Sequence, residues 1–255
     1  VEPSLLVFTH PFTRWYQDNL PELLHLNDEF YWFQTLLLIH DSLDMDHPTH
    51  QRLMHHLLDS LDTQKCRKLE TSYTHIALET ISTFLKQTVL AETPHCCGGS
   101  DLRPRLAIKT LSTLNRLLEV SCSPLPFQTY FHLIQNLSTH LETFTYQHNL
   151  SHRDANINSA LSTLIILAHR CSDTLSNFDI SQHFQSFFST TSRLLSKTKS
   201  DVIKTKLFKL FQSPLFVGHY TTDTLLQLAN NLNHVAGSDD CYAFIHRLMR
   251  QPSPS

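Results

Sequence analysis

Four glycines in 255 residues leave this chain few places where the backbone can turn through positive φ. An average chain of that length would carry about 18. Gly-rich phosphate loops, dinucleotide-binding turns, tight hairpins and propeller blades all draw on glycine, so these architectures are disfavoured from the outset. The aliphatic residues point the same way. Leucine occurs 43 times against 11 isoleucines and 7 valines, a balance that favours helix over strand. The expectation is an all-α protein.

The breaks in the hydrophobic pattern support that expectation. Asn27, followed by Asp28 and Glu29, is a good helix start, with Phe30, Tyr31, Trp32, Phe33 and Leu36–Ile39 behind it. Pro48 suits the first turn of a second helix marked by Leu53, Met54, Leu57, Leu58 and Leu61. A longer helix is predicted from about Lys65 to Ala91, with Tyr73, Ile76, Ala77, Thr80, Ile81, Phe84 and Leu85 on its apolar stripe. Residues 92–101 hold two of the four glycines and read as a loop or hinge. Beyond it, helices are predicted from Asp101 to Val120 and from Ser123-Pro124 through Phe144. Another starts at Ser151-x-x-Asp154, which resembles a capping box, and runs to about Cys171. The last four cover 180–198, 201–212, 222–236 and 239–250. The predicted organisation is an acidic helical part over 1–91, the hinge over 92–101, helical repeats over 102–250 and a tail over 251–255.

Consecutive helix pairs occupy about 40–50 residues. A local pattern recurs in Ala77-x-x-Thr80-Ile81-Ser82-Thr83, Ala107-x-x-Thr110-Leu111-Ser112-Thr113 and Leu161-Ser162-Thr163-Leu164. On helix-pair length, this echo and the near-absence of strand signals, the chain resembles a divergent HEAT or armadillo-like helical repeat. The likeness is at superfamily level. Neither the Pro, Asp and Arg positions of HEAT helices nor the armadillo glycine between helices is present. It implies an irregular α-solenoid of antiparallel helix pairs with a groove-like binding surface; an irregular helical bundle is the alternative.

Charge is distributed unevenly. Residues 1–62 contain ten acids and two bases, a balance of −8, and the remainder a balance of +5. The basic excess is densest in Arg193, Lys197, Lys199, Lys204, Lys206 and Lys209, with Asp201 the lone acid among them. The two ends thus suit different partners, or the acidic end of one chain suits a basic end of another.

No residue pattern points to catalysis. His40, His47, His50, His55 and His56 are close in sequence, but without the i, i+4 spacing that brings two imidazoles to one metal. His95-Cys96-Cys97 has no second cysteine pair to answer it, though a thiol beside a histidine is a candidate for redox reactivity. His152-Arg153-Asp154 imitates the protein-kinase catalytic triplet. Where that motif continues to a metal-binding Asn, this chain has Ser159, and a Gly-rich loop is lacking, so the triplet reads as a helix start. We therefore expect no catalytic residue, cofactor or metal. The six cysteines lack framework spacing and read as reduced thiols, which suggests an intracellular protein of nucleus or cytoplasm. No apolar run reaches the roughly 18 residues of a membrane span.

The expected function is a non-enzymatic protein–protein interaction module. It would form part of a larger scaffold, an expectation that follows from the first residue being Val1 rather than Met, and would bind a partner helix or peptide in a groove between helices. Candidate partner-binding residues are the aromatics Trp15, Tyr31 and Trp32 and the bases Arg193, Lys197, Lys199, Lys204, Lys206 and Lys209. The alternative is a nucleic-acid-associated helical scaffold in genome maintenance or meiotic recombination, with direct contact to nucleic acid not expected because the basic stretch lacks a stacking platform.

Overall fold

The computed structural model describes residues 71–89, 103–121, 124–146, 152–175 and 185–213, with Gln51, Arg52, Met54, His55, Leu58, Asp59, Ala243 and His246 outside those runs. The described residues form six helices and, among themselves, no strand: α1 Thr71–Val89, α2 Arg103–Val120, α3 Phe127–Tyr146, α4 Arg153–Leu175, α5 Gln185–Lys197 and α6 Asp201–Phe211. The described residues between 51 and 59 are helical too, as are Ala243 and His246. The chain divides into two compact units, Val1–Asn136 and Leu137–Ser255, with the boundary inside α3. The predicted hinge at 92–101 and the predicted helices after Asn27 and over 222–236 lie outside the described residues.

In the first unit α1 packs against α2. Ala77, Leu78, Ile81, Phe84 and Leu85 of α1 are buried, as are Leu106, Ala107, Leu111, Leu114, Leu117 and Leu118 of α2. Thr74, Leu78 and Ser82, off the predicted stripe, are buried as well, so α1 is enclosed over more of its surface than that stripe required. A helix covered this widely lies between neighbours on two sides. The second neighbour is α3: Thr129 Oγ1 donates to Glu79 Oε1 at 2.6 Å, and Asn136 Nδ2 donates to Ser82 Oγ at 2.9 Å. Asn136 belongs to an Asn-x-Ser sequence but is buried in this contact, which removes it as a surface glycan acceptor.

Helix α3 begins at Phe127, three residues after the predicted Pro124. Pro126 explains the delay. The residue before a proline is driven out of the helical region, so Leu125 stays non-helical and buried, its N–H donating to the Tyr130 hydroxyl at 3.4 Å.

In the second unit α6 packs along α4 and also touches α5. Ile157, Ala160, Leu161, Leu164, Leu167 and Ala168 of α4 are buried, together with Ile203, Leu207, Leu210 and Phe211 of α6. Helix α4 runs to Leu175, about one turn past its predicted end at Cys171. Its start is His152-Arg153-Asp154: His152 takes φ 56° and its carbonyl accepts from Asn156 N at 3.0 Å. Arg153 Nε donates to the Phe144 carbonyl at 2.7 Å, satisfying one of the open carbonyls at the end of α3. The kinase-like triplet therefore serves as a helix entrance.

Serine and threonine together supply 51 residues, and many are buried in helices. Their hydroxyls bond to carbonyls a turn earlier, as in Thr110 to Leu106 O at 2.8 Å, Thr145 to Leu141 O at 2.7 Å and Thr191 to Phe187 O at 3.0 Å. A buried hydroxyl satisfied within its own helix leaves the facing side free for apolar packing.

Candidate partner-binding surface

The basic stretch belongs to the second unit and runs from α5 through the linker 198–200 into α6. Its six bases differ in what they do. Lys206 is half-buried, and its Nζ donates to the Asn158 carbonyl at 3.1 Å and to Ser162 Oγ, both on α4. Burial, and then the nearby Lys209 charge, hold its pKa below the usual lysine value. Lys204 pairs with Asp201 at 3.7 Å across the first turn of α6. Arg193 places its guanidinium 4.2 Å from the centroid of the Tyr146 ring, a cation–π contact from α5 to the end of α3. Lys197, Lys199 and Lys209 are exposed. Lys197 closes α5 and Lys209 lies in the last turn of α6, where the helix dipole favours a cation.

So three of the predicted bases face solvent while Lys206, Lys204 and Arg193 make contacts within the unit. The predicted aromatics Trp15, Tyr31 and Trp32 lie outside the described residues. Sequence reasoning missed two neighbours of this stretch. Among the described residues the exposed large hydrophobics are Tyr146, 39% exposed, and Val202, 58% exposed. Tyr146 carries the Arg193 guanidinium, and Val202 falls between Lys199 and Lys204 in sequence. The available signal was phase: Tyr146 does not continue the Leu137–Leu141–Phe144 stripe.

In the first unit His55 is held by Asp59, 3.1 Å from its Nδ1, and Lys109 of α2 contacts both residues, with Nζ 3.1 and 3.2 Å from the ring nitrogens. This is the described part of the histidine-rich stretch, and it forms a polar tie between helices. Among the described residues no three of His, Cys, Asp and Glu converge as a metal site would require. No helix of the described residues is long and apolar enough to cross a membrane. No protein-family model matches the chain, and no curated protein or solved structure matches it.

Proposed function

We propose that the chain is a non-enzymatic protein-binding module, an irregular α-solenoid of antiparallel helix pairs that takes a partner helix or peptide in a groove between helices. The observation that carries this reading is the sequence separation of its inter-helix polar ties. In the first unit Lys109 of α2 reaches His55, and Glu79 and Ser82 of α1 meet Thr129 and Asn136 of α3. In the second, Glu142 of α3 accepts from Ser186 of α5, and Lys206 of α6 reaches Asn158 and Ser162 of α4. Every one of these ties spans 44–54 residues. Each between labelled helices joins a helix to the next but one.

Alternate helices in contact at a near-constant offset are what a stack of helix pairs produces, one row of helices on each side. Such a stack presents one row as an extended surface for a partner. The contacts also run in the same sense: Glu79 precedes Ser82 as Thr129 precedes Asn136, and Glu142 precedes Tyr146 as Ser186 precedes Arg193.

Quantitative affinity capture tests the reading. The wild-type chain is compared with variants carrying R193E/K197E/K199E/K209E or alanine at Tyr146, Trp15, Tyr31 and Trp32. Loss of specifically captured proteins in either variant supports it. Retention of every partner by both variants rejects these determinants.

A further inference from the structure

Helix α5 turns one stripe toward the end of α3. Ser186 donates to Glu142 Oε2 at 2.9 Å, and the Arg193 guanidinium lies over the Tyr146 ring, 4.2 Å from its centroid. Thr190, between them in sequence, is buried. On a helix, residues 186, 190, 193 and 197 fall within about 60° of one another around the axis, so Lys197 continues this stripe one turn past Arg193. The contacts advance in the same sense along both helices, and α3 ends at Tyr146. Lys197 therefore comes beyond the end of α3, and it is exposed.

Two cations thus stand together beside an exposed aromatic ring, and neither has an acid of its own. Glu142 meets Ser186, Asp154 pairs with Arg153 and Asp201 with Lys204. Among the described residues no carboxylate pairs with Arg193 or Lys197, and Arg193 Nε is enclosed without a hydrogen bond. The Tyr146 ring is what orients the guanidinium. A guanidinium held on an aromatic face keeps its donor fork for a planar acceptor with two oxygens. We propose that Arg193, seated on Tyr146, and Lys197 receive a carboxylate side chain of an acidic peptide, the Arg193 fork taking both oxygens and Lys197 adding a point charge. The assignment rests on the module reading above and names the chemistry of its partner. Charge complementarity selects that partner, and the exposed part of Tyr146 suits the aliphatic stem of a glutamate. A nucleic acid fits less well. It needs cations along its backbone and open aromatic faces for its bases, whereas Lys204 and Lys206 are engaged within the unit and one face of Tyr146 carries Arg193.

Fluorescence anisotropy with the full chain and a short fluorescein-labelled, glutamate-rich peptide tests this. The wild type binds the peptide at about 0.1 M salt, and binding weakens as added salt shortens the screening length. Arg193→Lys keeps the charge but loses the fork, and weakens binding about tenfold. Tyr146→Ala removes the ring that orients the guanidinium and weakens binding in the same direction, while Tyr146→Phe restores it. Lys204→Gln, at a lysine already paired with Asp201, changes binding less than about twofold. Circular dichroism checks that each variant keeps its helix content. Binding that is unaltered by both Arg193→Lys and Tyr146→Ala is diffuse charge attraction and overturns the site. A peptide that fails to bind the wild type, or a single-stranded oligothymidylate of equal charge that displaces it, overturns the acidic-peptide assignment. Loss of captured proteins in the R193E/K197E/K199E/K209E variant would still support the module reading in that event, so the two fail separately.

Discussion

Replacing His140 by leucine should flatten the acid side of the stability profile. The imidazole is fully buried on α3, its ring 4.7 Å from that of Phe144, with Asn156 of α4 against it. Burial lowers its pKa from the usual 6.5 to about 4, and the neighbouring polar side chain of Asn156 opposes that only in part. The sign follows from proton uptake. Above about pH 6.5 neither the folded nor the unfolded chain protonates this group, so its contribution is constant. As the pH falls from about 6.5 toward about 4, the unfolded chain takes up a proton that the folded chain refuses, and stability drops. The loss amounts to about 0.8 kcal/mol at about pH 6, about 2 kcal/mol at about pH 5, and about 3 kcal/mol once the pH passes below about 4. Urea denaturation followed by far-ultraviolet circular dichroism, at several pH values, measures it for the wild type and His140→Leu. Any change in packing from the substitution is independent of pH, and all other titrations are common to both proteins. The difference between the two curves therefore isolates His140. Curves that stay parallel within about 0.5 kcal/mol between about pH 7.5 and about pH 5 would refute the reasoning, and with it the neutral, desolvated imidazole.

Other perturbations address packing and helix ends. Leu164→Ala, at a fully buried position of α4, should lower stability by about 2–5 kcal/mol in urea denaturation, because the side chain leaves a cavity. A double-mutant cycle of Ser82→Ala and Asn136→Ala should show a coupling of about 0.5–1.5 kcal/mol across the α1–α3 hydrogen bond, and strict additivity would contradict it. Ser200→Ala removes the cap that accepts from Ile203 N and should cost about 1 kcal/mol, with amide exchange accelerating first at the start of α6.

Among the described residues, helix starts were legible in this sequence where a local cause marked them. Ser200 followed by Asp201 marks the beginning of α6, and the leucine, isoleucine and phenylalanine spacing of α4 and α6 matches their buried faces. At the start of α3 a second local rule had won: Pro126, rather than Pro124, sets the entrance. The candidate surface was only half legible. A basic stretch is visible in the letters, but Lys206 bonding to α4 and Arg193 lying on Tyr146 depend on which helices become neighbours, and spacing along one helix does not encode that. Val202 and Tyr146 read as ordinary hydrophobic positions until burial separated them from the rest.

Under the proposed helix-pair stacking, the long-range inter-helix ties account for the weak echo in sequence. Their offset is nearly constant at 44–54 residues, yet their chemistry changes each time. A lysine meets a histidine and an aspartate in one, a threonine meets a glutamate in another, an asparagine a serine, and a lysine a backbone carbonyl. Any pair with one donor and one acceptor satisfies the same gap between alternate helices, so packing conserves the distance and leaves the residue types free. What recurs more faithfully is the buried hydroxyl one turn from its carbonyl, as at Thr110 and Thr163, because that bond is internal to the helix and owes nothing to the neighbour's identity. The sequence echo marks two of those internal positions, Thr110 and Thr163, both of them buried. The register of the helices is carried instead by pairs that no periodicity search would align.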